Sequence, residues 1–161
     1  MTTRWLDSNQ QRAWRAYIVG TTLLMERLDR DLRESHDLSL PEYEILVRLS
    51  EAPDRMLRMA EIADAVKNSR SRITHTVARM ERKNLVDRRQ CATDGRGVLA
   101  ALTDKGAALL LDAAPVHVES VRAGLIDVVD PSDLEAIGRA FTTVVEVLES
   151  GPRDPILTPS S

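Results

Sequence analysis

The chain has almost no cysteine and very few aromatic residues. A single cysteine, Cys91, stands in 161 residues, which excludes a framework of intramolecular disulfides. Aromatic residues make up only 3% of the chain, so aliphatic side chains and alanine must build the core, and this favours helices. No apolar run approaches the roughly 20 residues that cross a bilayer, and the charged start MTTRWLDSNQQR is no signal peptide. We therefore expect a globular, mainly α-helical protein of the cytoplasm without a membrane partner.

Positive charge is scarce in most of the chain and concentrated in one segment. The whole sequence has 22 Lys and Arg against 25 Asp and Glu, a formal net charge of −3. Residues 67–96 hold nine basic and three acidic residues, a local charge of 9 − 3 = +6, so the remainder carries −3 − 6 = −9. A positive segment on an acidic body lets a protein meet a polyanion at one place only. Duplex DNA is the polyanion that we expect.

Two long amphipathic segments near the ends of the chain indicate more than one copy. From Asp7 to about Glu34, apolar residues recur every three or four positions, which predicts a helix about 40 Å long. A single small domain cannot cover an apolar stripe of that length. Asp130-Pro131-Ser132-Asp133 begins another long helix with a similar stripe. We expect a second copy of the chain to cover both stripes.

Capping residues divide the middle of the chain into shorter helices. Ser39 and Glu42 predict a capping box at the start of the second helix. Residues 59–66 predict a short third helix. Ser69 caps a fourth helix that reaches Lys83.

The segment after the fourth helix predicts a hairpin and another long helix. Asn84 tolerates the left-handed conformation in which many helices end. Residues 86–90 and 98–102 predict two short strands. Thr103 caps the fifth helix, in which Pro115 is expected to cause a kink or a local irregularity.

The third and fourth helices have the lengths and the tight connection of a helix-turn-helix. The second helix of such a pair enters the major groove of DNA. Its outward positions here carry hydroxyl, imidazole and guanidinium groups that can bond base edges or phosphates. The candidate DNA-binding residues on it are Ser69, Arg70, Ser71, Arg72, Thr74, His75 and Arg79. The alternative interpretation is an ordinary solvated helix with surplus arginine. The hairpin that follows argues against this alternative.

The tip of the predicted hairpin adds two further candidates. Arg96 lies between two glycines, so the backbone there can turn tightly and approach a phosphodiester. Asp94 can hold the guanidinium in place, and a narrow minor groove attracts an inserted arginine. The alternative is a plain Asp-Gly turn with a solvated arginine.

These motifs together resemble the MarR family of bacterial transcription regulators. Asp94-Gly95-Arg96, followed by Leu102-Thr103 and Gly106, resembles the D-x-R…L-T-x-x-G signature of that family's wing. The stretches Ser71-Arg72-Ile73-Thr74 and Met80 to Val86 are similar to its recognition helix and the exit from it, with Asn84 in place of the usual glycine. Leu38-Ser39 to Leu46 and Ala60-Glu61-Ile62-Ala63 are similar to its earlier helices.

The resemblance implies a fold, a division into domains and a regulated function. It implies a winged helix-turn-helix at 39–102 and an intertwined homodimer held by helices in 1–38 and 103–150, with a flexible tail at 151–161. It also implies a small aromatic or anionic effector bound between the first, second and fifth helices. The candidates for that pocket are Trp14, Tyr17, His36, Tyr43 and Arg48.

Other classes of function find little support in the sequence. No phosphate-binding loop, dinucleotide fingerprint or nucleophile motif of an enzyme is present, and no cofactor or spaced Cys/His metal site is expected. Flanking arginines could lower the pKa of Cys91, but family relatives that sense oxidants place their cysteine in the first helix. We expect a sequence-specific dimeric regulator, most often a repressor in this family, on a pseudo-palindromic operator. The alternative is a small-molecule-binding or structural helical homodimer with an incidental basic hairpin.

Overall fold

A computed structural model describes residues 3–90 and 97–150 of the chain. Contacts divide it into two compact units, one up to Val121 and one from Arg122. The first unit contains α1 (Ser8–His36), α2 (Leu40–Glu51), a 3₁₀ turn (Pro53–Arg55), β1 (Met56–Arg58), α3 (Met59–Ala65), α4 (Arg70–Arg82), β2 (Val86–Gln90), β3 (Val98–Leu102) and α5 (Asp104–Val121). The second contains a π-helical turn (Arg122–Ile126) and α6 (Pro131–Glu149). Within the described ranges, no helix has the length and apolarity to cross a membrane.

The helix starts that the sequence predicts are confirmed by their hydrogen bonds. The side chain of Ser39 accepts from the amide of Glu42, whose carboxylate accepts in turn from the Ser39 amide, which completes the capping box. The Ser69 side chain caps α4 by accepting from the amide of Arg72, and the Asp130 side chain caps α6 by accepting from the amide of Ser132. Asn84 has a φ of 58°, so it does end the recognition segment in the left-handed region.

The sheet has three antiparallel strands in the order β1-β3-β2, one more than the sequence predicts. The predicted hairpin is confirmed, with Val86 opposite Leu102 and Gln90 opposite Val98. The additional strand β1 pairs its three residues with the other edge of β3. Three residues are too few to establish an alternating pattern, so no periodicity in the sequence indicates this strand.

The core of the first unit surrounds α2. Ile45, Leu46 and Leu49 on this helix are fully buried. They belong to one apolar cluster with residues of α1, α3, α4, α5 and the sheet. Because α4 contributes Ile73, Val77 and Met80 to this cluster, its opposite face is turned to solvent.

The start of α5 explains the spacing of Thr103 and Gly106. The Thr103 hydroxyl donates to the carbonyl of Asn84 at 2.8 Å and accepts from the amide of Gly106 at 3.0 Å. A Cβ atom on Gly106 would overlap the carbonyl oxygen of Leu85. The two residues therefore anchor α5 directly against the exit of α4. The helix runs through Pro115 as one element, and the irregular π-helical turn begins only at Arg122.

Large apolar surfaces on α1 and α6 are not covered within the single chain. On the first half of α1, Trp14 is 55% exposed and Leu23 is 60% exposed. No residue of α6 is buried, and Leu148 is 74% exposed. Exposed apolar surfaces of this extent are typical of a protein interface.

Candidate nucleic-acid interface

The solvent face of α4 carries the residues that the sequence predicts for DNA binding. Ser69, Arg70, Ser71, Arg72, Thr74, His75 and Arg79 are all exposed. Ile73, Val77 and Met80 hold the opposite side of the helix in the core, which fixes the direction of the exposed face. The helix therefore presents guanidinium, imidazole and hydroxyl groups on a rigid support.

Two of the hydroxyl groups on α4 already have backbone partners. The Arg72 amide donates to the Ser69 hydroxyl oxygen at 3.3 Å, and the Thr74 hydroxyl donates to the carbonyl of Arg70 at 2.9 Å. Ser69 thus serves the start of the helix as well as its exposed surface. The side chains of Ser71, Arg72 and His75 make no such bond to the backbone of the described residues.

Arg79 has a structural role that the sequence did not reveal. Its Nε donates to Oε1 of Glu42 at 2.8 Å, and Glu42 is only 1% exposed. Burial alone would raise the pKa of Glu42, but the hydrogen bonds from Arg79 and Ser39 and the charge of Lys83 hold it below its ordinary value. The side chain of Arg79 is 46% exposed, so it contacts both the buried Glu42 carboxylate and solvent.

The wing is described along its strands but not at its tip. Asp94, Arg96 and Cys91 lie outside the described residues. Strand β2 carries two exposed arginines toward the tip, Arg88 and Arg89. Arg88 Nη2 lies 2.6 Å from Oε2 of Glu81 on α4, which ties the base of the wing to the recognition helix.

A second candidate site is an open cavity of about 420 Å³ bordered by α1, α2, the α3–α4 turn and α5. Of the residues that the sequence predicts for an effector pocket, Tyr43 and Arg48 line it. Trp14 and Tyr17 do not, because they lie on α1 roughly 12–17 Å before Met25, which does line it. Their rings contact each other instead, with centroids 5.9 Å apart. His36 also lies outside the lining and pairs with Asp112, Nε2 to Oδ2, at 3.3 Å.

His117 also lines this cavity, although it is not among the residues that the sequence predicts for the pocket. Its ring centroid lies 4.4 Å from that of Tyr43. Its Nδ1 is buried and has no hydrogen-bond partner in the described part of the chain. Burial lowers the pKa of His117 and raises that of Tyr43, so each favours its neutral form. The available signal was the position of His117 between Ala113 and Val121 on the apolar side of α5.

Metal chemistry finds no support in the part of the chain that the structure describes. Across residues 3–90 and 97–150, no three His, Cys, Asp or Glu side chains are grouped so that they could hold a metal ion.

Known proteins with similar sequences and structures are transcriptional regulators. Residues 36–97 match the model of the MarR family. The chain is 31% identical over 100 residues to the HTH-type transcriptional regulator MhqR of Bacillus subtilis strain 168. The matched region covers 62% of this chain and 67% of MhqR. The crystal structure of AbsC, a MarR family regulator from Streptomyces coelicolor, is 40% identical with a TM-score of 0.86, and the match covers 92% of this chain and 99% of AbsC. Sco3205 of the same organism, a MarR family regulator solved in complex with DNA, is 40% identical with a TM-score of 0.89. The match covers 95% of this chain and 94% of Sco3205.

Proposed function

The chain belongs to the MarR family of transcription regulators, and we propose that it acts as a repressor on a pseudo-palindromic operator. It is a DNA-binding protein that works as a dimer and not an enzyme. The observation that carries the proposal is the rigid exposed face of α4, because a two-fold dimer presents two such faces to two similar half-sites.

The proposed contacts divide between base edges and backbone. Arg72, His75 and Ser71 read base edges in the major groove, since their side chains are exposed on α4. Ser69, Arg70, Thr74 and Arg79 contact phosphates or the edges of the groove. Arg96 enters the neighbouring minor groove, whose negative potential attracts it, and Asp94 holds the guanidinium of Arg96 in place.

We propose the dimerisation region at 1–38 and 103–150, and the DNA-binding domain at 39–102. The apolar faces of α1 and of α6, each considered within its own unit, need a partner surface. A second copy of the chain supplies one by symmetry. A regulator of a bacterial chromosome works in the cytoplasm, which is where we place this protein.

The cavity beside Tyr43 is the proposed effector site. Its apolar wall and the cation of Arg48 suit a small aromatic molecule with a carboxylate or phenolate. Ala65, Val66 and Lys67, which lead into α4, form part of the same wall. The turn before α4 can adopt one arrangement that favours DNA binding and another that does not. A ligand that binds the second arrangement more tightly lowers the affinity for DNA, and the size of the effect equals the difference in its affinity for the two arrangements.

Selection from random duplexes tests the proposed operator. The full-length dimer is incubated with a pool of random DNA, and bound sequences are amplified and sequenced. We expect an inverted repeat whose half-sites are about one helical turn apart. A selected site without two-fold symmetry, or no enrichment at all, would overturn the proposal.

The sign of regulation is tested separately with a reporter gene whose promoter overlaps the selected site. We expect transcription to fall when the protein is present and to recover with an operator mutated in one half-site. A rise in transcription on the intact site would identify an activator.

A further inference from the structure

Lys83, at the end of the recognition helix α4, directs its cation toward the chain itself. It is the C-cap of α4, and its side chain is 31% exposed. Its Nζ donates to the main-chain carbonyl of Asp37 at 2.6 Å, and Oδ2 of the same residue lies 3.2 Å from Nζ. Oε2 of the buried Glu42 lies 3.8 Å away. Lys83 is one of the nine basic residues of 67–96, but two carboxylates of the same chain already face its ammonium group.

The carbonyl that accepts from Lys83 lies at the end of another helix. Asp37 is the C-cap of α1, and the last carbonyls of a helix have no partner within it. A lysine ammonium at this place bonds one of these carbonyls and meets the partial negative charge of the helix end. Lys83 therefore ties the end of α4 to the end of α1, across 46 positions of the sequence.

A second lysine ties the same end of α4 to α5. Nζ of Lys105, in the first turn of α5, donates to the carbonyl of Lys83 at 2.8 Å. The hydroxyl of Thr103 donates to the carbonyl of Asn84, the next residue along the chain, also at 2.8 Å. The C-terminal end of α4 is thus joined to α1 through the side chain of Lys83 and to α5 through its carbonyl.

The tied end of α4 is opposite the end that reads DNA. Base edges are contacted by the N-terminal residues of a recognition helix. With 13 residues, α4 is about 20 Å long. A tilt of about 10° at its C-terminal end would move the other end by about 3 Å, close to the rise of about 3.4 Å per base pair. In a two-fold dimer, this tilt occurs in both copies and changes the separation of the two reading ends.

We propose that Lys83 is a positioning residue that makes no contact with DNA and sets the separation of the two recognition helices by tying α4 to α1 and α5. The proposal rests on the proposed function, in which α1 and α5 belong to the dimerisation region and α4 reads the half-sites. It adds a residue that selects the spacing of the half-sites rather than their base sequence.

The first test measures the preference for half-site spacing. Lys83→Met keeps the unbranched stem of the side chain and loses the three N–H donors. Binding is measured to the selected operator and to operators with one base pair inserted or removed between the half-sites. We expect wild type to prefer the selected spacing by at least about 10-fold, and Lys83→Met to prefer it by less than about 3-fold. A loss of folded protein lowers all three affinities by the same factor, so a merely structural effect does not change this preference.

Three further variants separate the hydrogen bonds from the charge. Lys83→Arg keeps a cation with N–H donors and should recover most of the preference. Asp37→Asn keeps the carbonyl that accepts at 2.6 Å and removes only an exposed carboxylate, so it should stay within about 2-fold of wild type. Lys105→Met removes the bond from α5 and should lower the preference, which keeps the proposal testable if Lys83→Met does not fold. Arg30→Gln, which removes an exposed cation from α1, is the control and should behave as wild type.

The second test distinguishes positioning from a phosphate contact. The slope of log K against log salt should be the same for wild type and Lys83→Met, because no phosphate contact is lost. A slope that falls by about 2 for the dimer, or about 0.9 for each lost contact, would mean that Lys83 grips the DNA backbone and would overturn the proposal.

The outcomes separate this inference from the proposed function. If wild type selects no paired half-sites, the proposed function fails and the inference fails with it. If wild type selects them, and Lys83→Met or Lys105→Met is folded and dimeric by circular dichroism and sedimentation but keeps the wild-type spacing preference, only the positioning role is wrong.

Discussion

The carboxylate of Glu42, at the start of α2, accepts a hydrogen bond from Nε of Arg79 on the recognition helix at 2.8 Å. The same carboxylate accepts from both the amide and the hydroxyl of Ser39, at 2.8 and 2.9 Å. Lys83, one turn after Arg79, lies 3.8 Å from it. One buried acid thus completes the cap of α2 and fixes the C-terminal half of α4, so the stability of the core and the aim of the DNA-binding helix depend on the same group.

We expect Glu42→Gln to destabilise the dimer by about 2 kcal/mol. The amide keeps the shape of the side chain but loses the charge that Arg79 and Lys83 meet. Arg79 is half exposed, which limits the loss relative to a fully buried pair. Glu51→Gln, which removes an exposed carboxylate 3.5 Å from Arg48, should change stability by less than about 0.5 kcal/mol. Chemical denaturation at one fixed protein concentration measures both, and equal losses would contradict the prediction.

The pH dependence of unfolding follows from the direction of the Glu42 shift. Its pKa in the folded protein lies below the ordinary value of 4.5, so the unfolded chain takes up the proton first as pH falls. The stability that this group contributes is fully present above about pH 4.5 and is lost as pH falls through the folded pKa. Between pH 6 and pH 3, the difference in unfolding free energy between wild type and Glu42→Gln should therefore shrink. A difference that stays constant over this range would refute the assignment.

The sequence predicted those elements whose cause is local. Ser39 with Glu42, and Ser69 before α4, mark helix starts because the capping bonds span only three residues. The left-handed Asn84 and the Gly-rich hairpin are equally local. The charge of residues 67–96 predicts a DNA-binding surface for a similar reason, because α4 and β2 follow each other directly in the chain.

The features that the sequence did not reveal depend on contacts between distant residues. Arg79 and Glu42 are 37 positions apart, so nothing in the local pattern separates a core-bound arginine from one that faces DNA. His117 becomes a cavity residue only because α5 packs its ring against Tyr43. Strand β1 joins the sheet by pairing with β3, and its three residues are too few to give a periodic signal.

Gly106→Ala should destabilise the fold by about 2 kcal/mol or more. The added Cβ would overlap the Leu85 carbonyl and lie 2.8 Å from Cδ1 of Leu102, and backbone atoms cannot move away cheaply. A Cβ at Gly138 on α6 would meet no atom within 4 Å in the part of the chain that the structure describes, so Gly138→Ala should be neutral or stabilising by up to about 1 kcal/mol. Thermal unfolding of the two variants compares the same chemical change at the two sites. Equal melting temperatures would show that α5 does not rest on the exit of α4.

His75→Ala and Arg72→Ala should reduce specificity, whereas Arg96→Ala should reduce affinity for all duplexes. The first two residues are exposed on α4, where each lost base contact costs about 1–3 kcal/mol of discrimination. Arg96 is proposed to read the shape and charge of the minor groove, which many sequences share. Specificity is measured as the affinity for the operator divided by the affinity for a scrambled duplex, both at one salt concentration. If His75→Ala and Arg72→Ala both leave that ratio unchanged, base readout does not come from this face of α4.

Arg48→Gln should abolish the response to an aromatic carboxylate without impairing DNA binding. In the cavity of about 420 Å³, Arg48 is positioned to meet the carboxylate while Tyr43 and the neutral His117 ring bound the apolar part. A panel of hydroxylated and plain benzoates is titrated calorimetrically into the free dimer, and operator release is then measured with each binder. We expect wild type to bind at least one compound and to release DNA, and Arg48→Gln to bind it at least 10-fold more weakly, as expected for a lost charge-assisted hydrogen bond.

Arg30→Gln, exposed on α1 and outside the cavity lining, should respond as wild type does. A compound that binds the wild-type dimer and Arg48→Gln equally well would place the effector elsewhere, and binding without operator release would mean that the cavity is not coupled to α4.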